Sequence, residues 1–283
     1  SITTGEIPHA HVATANKTVL AFTDGGDSSK GKAVVYTGAG DVKNLTSENY
    51  IGISRGVAVQ TGDAASVGSD SVFESASTQK MDGEVSTFDS SNNKVVIAYR
   101  DAGNSNVGTA VVGTVSGSSI SFGTPVVFRS AVVDYIATTF DSSNNKVVIA
   151  YRDIGSAGRG KAVVGTVSGT SISFGSSEDF STATEVEYVS ATFDSNSNKV
   201  VISWNDKGNN SEAGTSVVGT VSGTSISFGS AEVFAAPVTR DISSTFDSNS
   251  NKVVVAYRDV ANSSHGTAVV GTVSGTSISF GSE

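Results

Sequence analysis

Residues 88–101 read FDSSNNKVVIAYRD, and the same fourteen residues return unchanged at 140–153. Two close copies follow, FDSNSNKVVISWND at 193–206 and FDSNSNKVVVAYRD at 246–259. The final aspartate of each copy lies 52 or 53 residues after the final aspartate of the copy before it. A period of this length is typical of chains built from repeated supersecondary units, so this stretch decides the fold.

Two further motifs repeat in the same order, VVGTVSG and SISFG. A diverged first copy begins with NKTVLAFTD at 16–24 and KAVVYTG at 32–38, and an insert at 39–61 has no counterpart elsewhere. The sequence therefore predicts one domain, residues 1–283, made of five units. Their approximate boundaries are 1–76, 77–131, 132–183, 184–236 and 237–283.

Each unit reads as four strands: a segment ending in TFD, then VVIAYR, TAVVGTV and SISFG. The turns SSNNK and SG hold Asn, Ser and Gly, which accept left-handed backbone geometry. Alternation places Val95, Ile97 and Tyr99 on one face of strand two, and Val96 and Ala98 on the other. Both faces are apolar, so we expect each sheet to be covered on both sides. The pattern predicts an all-β, five-bladed β-propeller built from four-stranded repeats.

The composition excludes several classes of function. The chain has 18 Lys and Arg against 27 Asp and Glu, and this acidic balance argues against nucleic acid as a partner. Without a run of 18 apolar residues, we expect no membrane insertion. Cysteine is absent from the chain, which excludes disulfides and thiolate metal sites. Because the sequence starts at Ser1 without a signal-type segment, we expect a processed protein or a fragment.

Catalytic motifs are also missing. The chain has three histidines and neither a nucleophile elbow nor a phosphate-binding loop. Near-identical units supply little of the asymmetry that an active site needs, so we expect no enzyme, no catalytic residue and no cofactor. The turn DSNSN at 194–198 has the first spacings of a calcium loop. It lacks the glycine and the bidentate glutamate of such loops, so we expect a hairpin turn and no metal.

The ends of strand two carry the candidate ligand site. An aromatic ring, a bidentate donor and a carboxylate suit a sugar, and weak sites repeated around a scaffold bind multivalently. Alternatively, the ring packs between units and the aspartate caps the following turn. The candidate residues are Tyr99, Arg100, Asp101, Tyr151, Arg152, Asp153, Trp204, Asn205, Asp206, Tyr257, Arg258 and Asp259.

The insert at 39–61 is the least repetitive part of the chain. Long loops in compact domains are often functional, so it is the candidate contact with a partner or another subunit. The residues that would make this contact are Asn49, Tyr50, Ile51 and Arg55. A solvated loop without a partner is the alternative.

The motifs VVIAYRD (95–101), GTAVVGTVSGTSISFGS (266–282) and FESA (73–76) resemble repeats of tail-fibre-like proteins of marine bacteriophages, including cyanophages. In that family a segment like NLTSENYIG usually follows the repeats, whereas here it lies inside the first unit, at 44–52. The resemblance implies a virion-surface or extracellular protein. Its partners would be a cell-surface glycan or another virion protein, and a homo-oligomer is possible.

Two hypotheses follow from the motifs and the resemblance. In the first, the protein is a non-enzymatic adhesion protein that binds host glycan weakly and multivalently. In the second, it is a purely structural fibre, spacer or decoration protein, and the insert at 39–61 makes the subunit contacts.

Overall fold

The computed structural model describes residues 12–14, 17–24, 30–37, 66–79, 85–182, 185–208, 211–236 and 238–282. This part of the chain consists of β-strands and turns, with two short 3-10 helices at Ala102–Asn104 and Ile154–Ser156. The prediction of an all-β protein is therefore confirmed. Among these residues, no helix is long and apolar enough to cross a membrane.

The strands fall into five sets, which follow the five predicted repeats and are called units one to five. Unit one contains β1 (Val12–Thr14), β2 (Lys17–Asp24), β3 (Lys30–Thr37), β4 (Ser66–Val67) and β5 (Ser71–Gln79). Unit two contains β6 (Ser86–Asp89), β7 (Lys94–Asp101), β8 (Val107–Ser116), β9 (Ser119–Phe122) and the first half of β10 (Val126–Asp141).

The second half of β10 begins unit three, which continues with β11 (Lys146–Asp153), β12 (Arg159–Ser168), β13 (Ser171–Phe174) and β14 (Glu178–Ser181). Unit four contains β15 (Val186–Asp194), β16 (Lys199–Asp206), β17 (Ala213–Ser222), β18 (Ser225–Phe228) and β19 (Glu232–Ala235). Unit five contains β20 (Thr239–Asp247), β21 (Lys252–Asp259), β22 (His265–Ser274) and β23 (Ser277–Phe280).

Consecutive strands of a unit pair antiparallel and form a meander. In unit three, Asp141 pairs with Lys146, and Val148 pairs with Val164. Units four and five keep the same register. The predicted strand order within the repeat is therefore present, because the same residues occupy the same ladder positions in each unit.

The fourth strand has two parts, of which the sequence indicated only the first. In unit three, β13 pairs with the second half of β12, and β14 returns to pair with its first half. Gly175 lies between the two parts, where an added Cβ would meet the carbonyl oxygen of Thr224 in unit four at 2.0 Å. The glycine thus permits close approach between the outer edges of neighbouring units.

The turns explain most of the polar residues in the repeated stretch. Asp141 Oδ1 accepts hydrogen bonds from the backbone N–H groups of Ser143 at 2.9 Å and Asn144 at 3.0 Å. Asn145 has a φ of 53°, and Gly169 in the SG turn between β12 and β13 has a φ of 60°. The predicted turn chemistry is confirmed, since each residue does what its type allows.

Each unit has two apolar faces. We call the side with Val147, Ile149 and Tyr151 in unit three the rear face. The opposite side, with matching residues in the other units, is the forward face. In unit three the forward face consists of Val148, Ala150, Ala162 and Val164, and all of these residues are buried. The expected two-sided packing is therefore present in this unit.

Neighbouring units stack rear face against forward face. The forward face of unit three shares one apolar core with the rear face of unit four, which contributes Ile202 and Trp204. The first strands of consecutive units lie side by side. Strand β10 joins units two and three without a break, so the predicted boundary after residue 131 falls inside a strand.

The forward face of unit five is the exception. Val270 is 47% exposed, whereas the matching Val164 and Val218 are fully buried. Ala256 and Ala268 beside it are exposed as well. We call Val254, Ala256, Ala268 and Val270 the end face. A closed ring of five blades would bury the end face, so the described residues do not show ring closure.

Candidate functional site

The four aromatic residues that end strand two are buried between units. Each ring packs against a phenylalanine of the preceding unit, with centroid separations of 5.1–5.3 Å and tilted or edge-on planes. The pairs are Tyr99 with Phe73, Tyr151 with Phe128, Trp204 with Phe180, and Tyr257 with Phe234. These rings offer no open face on which a sugar could stack. A ligand role for the predicted site stays a prediction, and it depends on the polar groups.

The residue after each aromatic ring connects its unit to the next one. Arg100 Nη1 lies 3.0 Å from Asp134 Oδ1 of unit three. Arg152 Nη2 lies 3.0 Å from Glu185 Oε1 of unit four. In unit four, Asn205 Nδ2 donates to the backbone oxygen of Thr239 at 2.6 Å. These side chains therefore fasten consecutive units together.

The arginine of unit five differs from its counterparts. Arg258 Nε donates to Asp241 Oδ2 at 2.7 Å, and this aspartate belongs to the same unit. Both side chains are well exposed. The difference follows from position, since no described unit lies beyond unit five.

The aspartates that end strand two are placed as turn caps or cross-unit partners. Asp101 Oδ1 accepts the backbone N–H of Asn104 at 3.0 Å, and Asp259 does the same for Asn262 at 3.1 Å. Burial and the Glu74 carboxylate raise the pKa of Asp101 above its usual range. Asp153 is fully buried, with Oδ2 2.9 Å from Arg129 Nη2 of unit two. The capping alternative thus accounts for Asp101 and Asp259.

The phenylalanine that packs against the end of strand two is followed by a different residue at each boundary. The size of that residue determines how much space remains in the groove between the two units. In sequence order it is Glu74, Arg129, Ser181 and Ala235. Glu74 accepts the Tyr99 hydroxyl at 3.0 Å, and Arg129 reaches Asp153. The shorter Ser181 leaves space between units three and four. A cavity of about 250 Å³ opens there, lined by Asp179, Phe180, Ser181, Thr182, Trp204, Asp206 and Ala231. We call it the unit 3/4 groove.

The unit 3/4 groove offers both donors and acceptors. Trp204 is 1% exposed, and within the described part of the chain its indole N–H has no hydrogen-bond partner. Burial raises the pKa of Asp179, but hydrogen bonds and charges from Lys161 and Arg159 outweigh burial and lower it. Asp179 therefore stays ionised at neutral pH and can accept hydrogen bonds from a hydroxylated ligand.

A strained tyrosine pair on the first strands was not foreseen from the sequence. Tyr135 and Tyr188 have φ values of 45° and 51°, which are rare for bulky residues, and their rings lie 5.4 Å apart. Arg152 stacks 6.0 Å from the Tyr135 ring centre. Burial is the largest cause of a raised pKa at Tyr135. The signals in the sequence were Gly83 and Asp241, which occupy the matching positions of units two and five, and Asp241 has a φ of 52°.

Two further predictions concern the insert at 39–61 and the calcium-like turn at 194–198, and the structure describes only the second. Asn49, Tyr50, Ile51 and Arg55 of the insert lie outside the described residues. In the calcium-like turn, Asp194 Oδ1 accepts the backbone N–H groups of Asn196 and Ser197 at 2.9 and 3.0 Å. Among the described residues, no group of three or more His, Cys, Asp or Glu side chains is placed to hold a metal ion.

Comparison with known proteins supports the fold. No family model matches the chain, and no curated protein matches it. AofleA from Arthrobotrys oligospora is 9% identical with a TM-score of 0.54, over 97% of this chain and 69% of that one. A triple arginine-to-alanine variant of AofleA is 9% identical, with a TM-score of 0.51 over 94% and 68%. A Dyadobacter fermentans protein of unknown function is 12% identical, with a TM-score of 0.49 over 81% and 69%. At these identities the likeness concerns the fold alone.

Proposed function

We propose that the protein is a non-enzymatic adhesion module of a virion surface or another extracellular structure, and that it binds glycan. The units would be arranged as blades of a propeller around a common axis. The side-by-side first strands and the likeness to AofleA support the blade arrangement. The resemblance of the repeats to tail-fibre-like phage proteins supports the location.

One observation carries the binding proposal: the unit 3/4 groove is lined by Trp204, whose buried indole N–H has no hydrogen-bond partner among the described residues. A buried donor without a partner costs free energy, so a ligand acceptor that reaches it gains affinity. The cavity of about 250 Å³ lies just below the range of about 300–1,000 Å³ for drug-sized pockets, which fits a single sugar ring. Asp179 and Asp206 would accept hydrogen bonds from its hydroxyl groups.

We propose one glycan-binding groove in each chain rather than an equivalent site in every unit. Between units one and two, Glu74 already holds the Tyr99 hydroxyl, and between units two and three, Arg129 fills the space beside Asp153. Since the grooves at these two boundaries are filled, we propose that each copy of the chain binds glycan through the unit 3/4 groove. Multivalent binding would then depend on several copies of the chain acting together.

The test is a glycan array with the labelled protein, followed by titration of the best ligand. Ser181→Arg places in the unit 3/4 groove the side chain that naturally occupies the groove before it, so it should fold and block binding. Ser173→Arg, at an exposed position of β13, is the matched control. We expect affinity to fall at least about tenfold, which is about 1.4 kcal/mol, for Ser181→Arg alone. Absence of any glycan ligand, or equal binding by both variants, would overturn the proposal.

A structural role is the second candidate, and the stacking of near-identical units through their apolar faces favours it. In that case the protein would be a fibre, spacer or decoration protein in which the insert at 39–61 makes subunit contacts. Deletion of 39–61 would then abolish assembly on the particle, and the glycan array would remain blank.

A further inference from the structure

The unit 3/4 groove has an acidic lining. In the described part of the chain, the charged residues that line it are Asp179 and Asp206. Lys161 and Arg159 of the same unit already pair with Asp179 and compensate its charge. Asp206 is 4% exposed and lines the groove together with Trp204. The Asp206 carboxylate therefore has the larger influence on the charge that a ligand can bring into the groove.

The boundary between units two and three shows which group fits against an aspartate at this position. Asp153 matches Asp206 and is fully buried. Arg129 Nη2, from the preceding unit, lies 2.9 Å from Asp153 Oδ2. Arg129 and Ser181 hold the same place in their units, because each pairs with the same glycine of strand three. At this boundary, a cationic group from one unit therefore compensates the buried aspartate of the next.

At the following boundary, a cavity of about 250 Å³ stands beside Ser181, where the arginine side chain would lie. Asp206 makes other interactions within the protein. A carboxylate has about four acceptor positions, so it can accept hydrogen bonds from a ligand as well. A cation that enters the groove is attracted to the carboxylate, whereas an anion is repelled, and both effects are stronger away from bulk water.

We propose that the ligand of the unit 3/4 groove is an amino sugar, whose ammonium group takes the position that the Arg129 guanidinium holds one boundary earlier. The inference rests on the proposed glycan binding and specifies the class of sugar. The ammonium group donates to the Asp206 carboxylate in a charge-assisted hydrogen bond, and a ring hydroxyl accepts from the Trp204 indole N–H. Sugars with a carboxylate in place of the amine are rejected by repulsion from the same aspartate.

The first test compares oligosaccharides of one length and linkage by titration calorimetry. The probes are a β-1,4-linked glucosamine oligomer with free amines, its N-acetylated form, the plain glucose oligomer and the glucuronic acid oligomer. A pH of about 5.5 keeps aspartate ionised. We expect the free-amine form to bind at least about tenfold more tightly than the glucose form, and the glucuronic acid form to bind at least about tenfold more weakly.

The second test assigns the preference to Asp206. Asp206→Asn removes the charge and keeps an oxygen acceptor, and Asp247→Asn makes the same change in an exposed turn of unit five as the matched control. The preference for the free-amine form over the glucose form should fall to about threefold or less in Asp206→Asn and stay unchanged in Asp247→Asn. Thermal unfolding checks that each variant is folded.

Ser181→Lys provides a second variant, in case Asp206→Asn does not fold. It supplies an ammonium group from the protein itself, so it should weaken binding of the free-amine form at least about tenfold more than binding of the glucose form. Equal affinity for these two forms in the unchanged protein, or an unchanged preference in either folded groove variant, would overturn this inference and leave glycan binding in place. If none of the sugars binds, the inference and the proposed function both fail.

Discussion

Arg129 and Asp153 form an ion pair across the boundary between units two and three, with 2.9 Å between Nη2 and Oδ2. The angles at this contact do not fit a hydrogen bond, so the two groups interact as opposite charges. The Asp153 side chain is fully buried. We expect Arg129→Met to lower the free energy of unfolding by about 3–5 kcal/mol, because it leaves a buried carboxylate uncompensated. Urea denaturation measures the change.

Two variants make the prediction about Arg129 specific. Adding Asp153→Asn to Arg129→Met should recover a large part of the loss, since the unpaired charge is then removed. Arg159→Met breaks an exposed pair with Asp179 and should cost at most about 1 kcal/mol. If Arg129→Met costs no more than Arg159→Met, the pair does not stabilise the boundary.

Gly160 lies under the ring of Phe180. An added Cβ would come within 2.3 Å of that ring, so Gly160→Ala should destabilise the protein by about 1–3 kcal/mol through overpacking. At the same position of unit five, Gly266, an added Cβ would have no described residue within 4 Å other than its two chain neighbours. Gly266→Ala should therefore leave the Tm unchanged or slightly higher. Equal Tm values for the two variants would contradict the close packing of Phe180.

Asn145 holds the left-handed position of the repeated turn, with a φ of 53° and an exposed side chain. Asn145→Ala should cost about 1 kcal/mol, because an L-residue with a plain Cβ is strained there. Asn145→Gly should be neutral or slightly stabilising, since glycine accepts this geometry freely. Thermal unfolding of both variants separates two causes. Backbone strain lowers the Tm of Asn145→Ala alone, whereas a contribution from the asparagine side chain would lower the Tm of both variants alike.

Asp101 provides a test based on pH. Burial and Glu74 raise its folded pKa above 3.8, so the folded state binds more protons than the unfolded state just above that value. Stability from this group therefore falls as the pH rises through the raised pKa. Asp101→Asn keeps the acceptor for the Asn104 N–H and removes the charge. The Tm of the variant, relative to the unchanged chain, should increase from pH 4 towards neutrality.

Asp259→Asn is the matched control for the cap. Asp259 also caps a turn, but the residue that corresponds to Glu74 at that boundary is Ala235. If both variants show the same dependence on pH, the effect comes from the cap and not from repulsion between Asp101 and Glu74.

The repeat made much of the fold predictable. Identical residues at positions such as Val148 and Val164 fix the register in each unit, and alternation on strand two indicated that both faces are buried. The second part of strand four was missed because its sequence varies: β14 reads EDFS and β19 reads EVFA. Tertiary pairing with strand three, rather than local pattern, makes these segments strands.

The sequence predicted where the candidate site lies, but not how its side chains pack. The sequence pointed to the end of strand two, where Trp204 and Asp206 lie, but it could not tell that the rings face a phenylalanine of the preceding unit. The cavity depends on Ser181, a short residue far along the chain from both. The left-handed Tyr135 and Tyr188 were equally hidden, because tyrosine rarely adopts that backbone geometry.

Strand β10 belongs to two units at once, pairing with β8 along its first half and with β11 along its second half. Antiparallel hydrogen bonds run perpendicular to the strand, so tension along β10 loads many of them together in shear rather than opening them singly. If the chain were pulled from its two ends, units two and three would therefore resist the force together, as one mechanical element.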